Sequence, residues 1–355
     1  MDYFRNDSKT AYQALAEAQR IAFAPVVFQA CRVLRDSGTL ERVARSGPAG
    51  MTLDEVVAAV RLPRYGIKVL LESGLGIGLF YLNGDRFVLT KLGHVVAHDP
   101  MTRINLDFVH EICFRGMFDL DRAIRDGEPA GLKSLGDWTT VYEGLSSLPP
   151  RARESWLAFD HYYSELAFPA ALPAVFADRP RRLLDVGGNT GVWAVQCAAF
   201  DPDVHVTIAD LPRQLELARA AIRGKGLDGR VAFLPMDLLE DSRPFPAGFD
   251  AIWMSQFLDC FSEKEIVSIL RRAAASLAPG GSLYILELFW DRQPNEIAAF
   301  CLQQTSLYFA CIANGNSQMY HSSDMERFLD DSGLEVLEKR HPVGPYHTLL
   351  KCRKA

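Results

Sequence analysis

The chain has 355 residues, 48% of them apolar and 23% charged, and carries a net charge of −6. That is enough chain for two domains and a large core. The acidic total argues against nucleic acid as the main partner, because phosphate binding asks for a basic face.

Seven cysteines without paired spacing predict neither a disulfide framework nor a metal site and fit a reducing compartment. There is no charged-then-apolar leader at the start and no apolar run of spanning length, so a cytoplasmic chain with no membrane partner is expected.

Residues 11–36 read as helical, with Gly38 as the stop. Thr52-Leu-Asp-Glu55 is a capping box that opens a short helix, and a second helix follows from Arg64 to Ser73. Phe80 to Leu89 then gives two short strands about Asn83-Gly84, a strong hairpin signal. Helix, helix and hairpin together predict a winged-helix module over residues 1–100. Its second helix carries only Arg64 and Lys68, with Arg61 before it, which is thin for tracking phosphates. Dimerisation is therefore the expected role, and a ligand-sensing regulator that binds DNA is the competitor.

Residues 101–175 read as a helical, aromatic linker and pocket segment. Most of its aromatics should be core. Phe159, His161, Tyr162 and Tyr163 are singled out as candidate pocket wall for a flat organic acceptor.

From residue 176 onward the pattern alternates. Arg182 to Val186 reads as a buried strand, and Gly187, Gly188 and Gly191 fall within five positions after it. A strand, a glycine turn and a helix over Val192–Phe200 follow, with Val192, Val195, Ala198 and Ala199 expected to face the sheet. Glycine lets the chain take positive φ and lets a ligand approach the backbone, where free N–H groups of the helix start await it. The next strand, His205–Ala209, ends on Asp210, which is placed to accept from both hydroxyls of a ribose. Capping of the helix that starts at Pro212 is compatible with that role.

Further strands are predicted at Val231–Pro235, Phe249–Met254 and Ser282–Glu287, the last fed by Pro279-Gly-Gly281. Leu334–Arg340 and Tyr346–Lys351 should pair antiparallel. The result is an α/β, Rossmann-like, doubly wound sheet of seven mostly parallel strands with an antiparallel edge hairpin, over residues 176–355.

Asp185-Val-Gly-Gly-Asn-Thr-Gly191, Asp210-Leu-Pro212, Met236-Asp237, Asp250-Ala-Ile-Trp-Met254 and Pro279-Gly-Gly281 resemble the class I methyltransferases that use S-adenosyl-L-methionine. More narrowly, nearly the whole chain resembles the small-molecule O-methyltransferases that include plant caffeate and flavonoid enzymes. The resemblance implies an intertwined homodimer through the N-terminal module.

It also implies that Asp185, Gly187, Gly188 and Gly191 cradle the methionine end of the cofactor. Asp210 and Leu211 would hold the ribose. Met236 would pack on the adenine and Asp237 reach its amino group, with Ser255 and Gln256 completing the site. Asn189 stands where the family has a third glycine, and asparagine tolerates positive φ.

A second departure bears on chemistry. The family's histidine base corresponds to Asp259 here, followed by Cys260. Glu287 matches a glutamate that orients that histidine, and a second orienting glutamate falls near Tyr320, directly before His321. A phenol of pKa ~10 facing an ordinary Asp at ~3.9 is mismatched by about six units, roughly 8 kcal/mol, whereas histidine at ~6.5 faces about 5 kcal/mol.

Three readings stay open. Asp259 is the base, with its pKa raised by burial. Or Asp259 orients His321 or His161, and the histidine takes the proton. Or the acceptor arrives ionised. The second is preferred here, with His321, although His321 also suits the opening of the helix Asp324–Ser332. Substrate contacts are further expected from Phe300, Gln304 and Tyr308 on a helix over Asn295–Ile312. The expected reaction is methylation of a hydroxyl on a small aromatic or polyketide-like acceptor, and the competing enzymatic reading keeps the cofactor but has lost methyl transfer.

Overall fold

The computed structural model describes residues 4–355, with only the backbone described over 163–165. Two compact units divide the chain between Glu111 and Ile112, inside the segment expected to be the linker.

In the first unit the predicted helix over 11–36 is two helices, Ala11–Ala22 and Ala24–Asp36. The break falls at Phe23, because Pro25 sits in the first turn of the second helix, where its missing N–H costs nothing. The capping box at Thr52 and Glu55 is formed and opens Leu53–Ala59. Arg64–Ile77 follows, then strands β1 (Phe80–Asn83) and β2 (Arg86–Leu89) pair antiparallel. The core of this unit is Leu34, Leu40, Val43, Val56, Ile67, Leu71, Leu79 and Phe80.

Two of the cations weighed for DNA binding are already committed to acids, Arg64 to Asp54 at 2.8 Å and Lys68 to Glu72 at 3.7 Å. By contrast, the helix Ala11–Ala22 buries nothing within the chain and exposes Tyr12, Leu15 and Ile21.

The second unit contains a seven-stranded sheet. Its strands are β3 (Arg182–Val186), β4 (His205–Asp210), β5 (Val231–Pro235), β6 (Phe249–Ser255), β7 (Leu277–Glu287), β8 (Leu334–Val343) and β9 (His347–Lys354). The order is β5-β4-β3-β6-β7-β9-β8, parallel from β5 to β7 and antiparallel through β9 and β8. Pro279-Gly-Gly281 lies within β7 as a register shift against β6 rather than as a turn feeding it.

After β3 the chain crosses to β4 on one side, while β6 lies on the other. The glycine turn thus stands at the topological switch point, where an open α/β sheet leaves a crevice at its carboxyl edge.

The helix Val192–Phe200 has the predicted limits, and three residues of its predicted face meet the core: Ala198 is buried, Val192 and Val195 are half-buried against it, and Ala199 is exposed. Trp193, Ala194, Cys197 and Ala198 are buried, and of the expected residues only Ala198 is among them. Trp193 sets the rotation: its ring stacks on Trp253 of β6 at 3.9 Å and 11°, and Phe168 meets both rings edge-on. The aromatic stack offers more apolar area than the valine face, so it decides which way the helix turns.

Candidate active site

The turn after β3 is held by its own geometry. Gly187 and Gly191 have φ of 72° and 80°, and Asn189 takes the left-handed region at 47°. A Cβ on Gly187 would fall 2.2 Å from the ring of Phe257, and one on Gly188 would fall 2.6 Å from Asp185 Oδ2. Neither space admits a side chain.

Asp210 faces this turn from the end of β4. Its Oδ2 accepts from the Asn189 N–H at 2.9 Å and its Oδ1 from the Leu211 N–H at 2.7 Å. Burial raises its pKa against those two bonds. Asp185 is 2% exposed, and burial, with Asp210 as a like charge, pushes it up to about 8.

Asp185 Oδ2, Ser255 Oγ and Gln256 Oε1 are buried with no hydrogen-bond partner. These acceptors sit at the carboxyl ends of β3 and β6, beside a turn whose glycines admit close approach. These oxygens fit S-adenosyl-L-methionine, which brings an ammonium, a sulfonium and a ribose diol. Met236 is buried in the core below, while Asp237 is exposed, its Oδ1 accepting from the Leu239 N–H at 2.9 Å.

Asp185 also yields a stability prediction. Its carboxyl is protonated more readily folded than unfolded, so between about pH 5 and 8 the native state holds the extra proton. Stability contributed below the unfolded pKa is then lost as pH rises through about 8. Thermal melts of the ligand-free protein should fall over that window, and Asp185→Asn should flatten the decline. Equal slopes in the two proteins would remove the assignment.

Beyond β6 the backbone turns through Gln256 at φ 44°. Glu287 pins that turn, its Oε1 accepting from the N–H groups of Phe257 and Leu258 at 3.0 Å each, while Oε2 is buried without a partner. Asp259 follows, 5% exposed, with the Cys260 thiol donating to its Oδ1 at 3.5 Å.

Burial pushes Asp259 up to about 7, with Asp160 adding to the rise. Glu287 is driven well above the usual carboxylate range, by burial first and then by Asp259. Two carboxyls that repel in a dry site titrate as a pair. Both carboxyls are thus pushed above the usual carboxylate range.

Tyr142, Trp156 and Asp160, which the sequence does not single out as site residues, complete the cluster together with the expected Tyr308. Tyr142 stands against the Cys260 thiol. Tyr308 accepts from Trp156 Nε1 at 2.9 Å, and Cys260 and Asp160 act on its hydroxyl. Asp160 Oδ2 accepts from Asn189 Nδ2 at 3.0 Å.

His321 stands elsewhere. It caps the helix Ser322–Asp331, Nδ1 accepting from the Ser323 N–H at 3.1 Å. Nε2 lies 3.6 Å from Asp291 Oδ2, and the ring meets Trp290 edge-on. The preferred pairing of His321 with Asp259 is therefore corrected: the carboxylate beside His321 is Asp291. Tyr320, near the expected orienting glutamate, donates to the Phe261 carbonyl at 2.7 Å and so anchors the loop that carries Asp259.

Of the helix expected to supply substrate contacts, Tyr308 is buried in the cluster, whereas Phe300 and Gln304 are exposed. That helix is Glu296–Tyr308, and a π turn at Phe309–Ala313 continues it. Phe159, His161 and Tyr162 lie half-buried on the helix Pro150–Glu165, the helix that also carries Asp160. The expected Tyr163 contact lies outside the residues whose side chains are described.

The sequence profile of the O-methyltransferase domain matches residues 153–335, and that of a Dimerisation2-like domain matches residues 14–87. The L-tyrosine C(3)-methyltransferase of Streptomyces lavendulae is 24% identical over 288 residues, 80% of this chain and 77% of that enzyme. The mitomycin biosynthesis 6-O-methyltransferase of the same organism is 26% identical over 78% of this chain and 77% of its own. Among solved structures, the O-methyltransferase NcsB1 of neocarzinostatin biosynthesis, in complex with S-adenosylmethionine and 2-hydroxy-5-methyl naphthoic acid, shares the fold. Its TM-score is 0.69 at 20% identity, over 98% of this chain and all of that one.

Proposed function

The chain belongs to the O-methyltransferase family, and on that premise we propose that it methylates a hydroxyl of a small aromatic or polyketide-like acceptor, with Asp259 as the base. S-adenosyl-L-methionine, when bound, supplies an electrophilic methyl group for in-line displacement. Asp210 holds the ribose, Asp185 with the glycine turn receives the methionine end, and Met236 packs beneath the adenine with Asp237 at its edge.

The observation that carries the reading is the buried Asp259, pushed up to about 7. A phenol near pKa ~10 then faces a gap of about three units, roughly 4 kcal/mol, half the penalty against an ordinary aspartate. Burial thus supplies what the family's histidine supplies elsewhere, and the first of the three open readings is favoured. Glu287 holds the turn that aims Asp259, and Tyr142, Tyr308 and Trp156 give the acceptor a half-polar, aromatic wall. The naphthoic acid in complex with NcsB1 is a hydroxylated aromatic molecule of that kind.

Titration calorimetry with S-adenosylhomocysteine tests the cofactor site. Incubation with methyl-labelled cofactor and a panel of phenols and hydroxynaphthoates tests transfer. Binding without transferred label across the panel would favour the reading in which methyl transfer is lost.

A second reading concerns the atom methylated. The tyrosine enzyme, matched over most of both chains, bears a name that specifies carbon. A phenol ionised by Asp259 is also nucleophilic at its ortho carbon, so label found in a product that keeps its free hydroxyl would select that outcome.

The N-terminal unit, read as a winged helix, serves a homodimer through the apolar face of Ala11–Ala22. A one-chain mass by light scattering at micromolar concentration would remove that part. We place the protein in the cytoplasm, a reducing compartment that its seven cysteines without paired spacing fit; no helix among the described residues is long and apolar enough to cross a membrane.

A further inference from the structure

Asn189 departs from the glycine that the resemblance leads one to expect, and it does more than survive the turn. Its backbone N–H reaches Asp210, the proposed ribose carboxylate, at 2.9 Å, while its side-chain Nδ2 reaches Asp160 at 3.0 Å. Asp160 lies on the helix Pro150–Glu165, one turn beyond Trp156, which donates to Tyr308. Asp160 in turn acts on Asp259, Cys260 and Tyr308. One asparagine therefore touches the cofactor turn with its backbone and the acceptor helix with its side chain. A glycine at 189 would keep the first contact and could not make the second.

We propose that Asn189 and Asp160 form a positioning pair that ties the helix Pro150–Glu165 to the cofactor turn, so that filling the cofactor site orders the acceptor site. The inference rests on the reading of the glycine turn as that cofactor site. A ligand bound at the turn fixes Asn189 through Asp210, and a fixed Asn189 holds Asp160 facing Asp259. Binding is then ordered, cofactor before acceptor, because the bound cofactor holds more firmly a contact that the chain already makes. Coupling of this kind needs a shared two-state element, and the helix Pro150–Glu165 is that element.

Asn189→Gly is a clean probe, since glycine accepts φ of 47° without strain. Asp160→Asn removes the charge and keeps the shape. Amide exchange by mass spectrometry is followed on the full chain with and without saturating S-adenosylhomocysteine, whose binding is confirmed separately by calorimetry. In the wild type the nucleoside should slow exchange across both the turn, 186–191, and the helix, 150–165. In Asn189→Gly the turn should remain protected, while ligand-dependent protection of the helix falls about tenfold. The double variant should lose no more than the larger single effect, since contacting partners are not additive.

Helix protection unchanged in Asn189→Gly, or no ligand-linked protection of the helix in the wild type, overturns the proposal with the cofactor reading intact. Absence of S-adenosylhomocysteine binding to the wild type overturns both, and calorimetry tells the two failures apart.

Discussion

Asp259→Asn is expected to lower methyl transfer by about 10²- to 10⁴-fold, the usual worth of a positioned general base, and to leave S-adenosylhomocysteine affinity within about twofold. The two halves of that expectation separate a base from a structural residue. Asparagine matches aspartate in size, so the 5% exposed site stays filled, and its amide oxygen can still accept from the Cys260 thiol at 3.5 Å. What disappears is an acceptor able to keep a proton.

The pH profile gives the sharper reading. The ionised carboxylate is the active form, so wild-type turnover should climb as pH rises through about 7 and then level off. In Asp259→Asn that limb should vanish, leaving a low, flat rate that rises only as the acceptor ionises by itself. Near-normal turnover with the limb retained would remove Asp259 from the role. Attention would then pass to His161, the next residue to Asp160, or to an acceptor that is already ionised.

Legibility from sequence tracked whether a feature is written in consecutive residues. The sheet was readable because each strand is a short apolar run ending in punctuation, and the limits of Val192–Phe200 and Val231–Pro235 came out as predicted. The glycine turn, Asp210 and the left-handed Asn189 were readable for the same reason. Helix orientation was readable only in part: Val192, Val195 and Ala198 do meet the core, but the inward turn of Trp193 depends on Trp253, some 60 residues away on β6. Helix periodicity could not show that the rings would stack.

The candidate cluster around Asp259 shows the same limit. Asp259 could be found by its place after β6, but its pKa depends on burial and on Asp160, and no local pattern shows either. Asp160 itself sits beside His161 in an aromatic stretch, where histidine looks like the more reactive neighbour. His321 misled for the converse reason, because its adjacency to Tyr320 suggested the site while its partner Asp291 lies 30 residues upstream.

Asp210→Ala is the second large effect expected, a loss of S-adenosylhomocysteine affinity of at least about 100-fold. Hydrogen bonds to a charged group contribute roughly 1.5–3 kcal/mol each, and two ribose hydroxyls lose such a partner, where about 1.4 kcal/mol is tenfold. The variant also strands the N–H groups of Asn189 and Leu211 that Asp210 now receives, so collapse of the turn must be told apart from loss of ribose contact.

Two comparisons do this. Asp210→Asn retains an oxygen for one of those N–H groups and should fall between wild type and alanine. The 2′-deoxyribose analogue of S-adenosylhomocysteine should bind the wild type more weakly than the parent, yet bind Asp210→Ala as well as the parent does, because the contact it lacks is already gone. A penalty for the missing hydroxyl that persists undiminished in the alanine variant would assign the ribose to another residue. Equal parent affinity in wild type and Asp210→Ala would take the cofactor away from β4 altogether. Removing Asp210 also removes the like charge that helps hold Asp185 up, so in Asp210→Ala the loss of stability as pH rises toward 8 should ease.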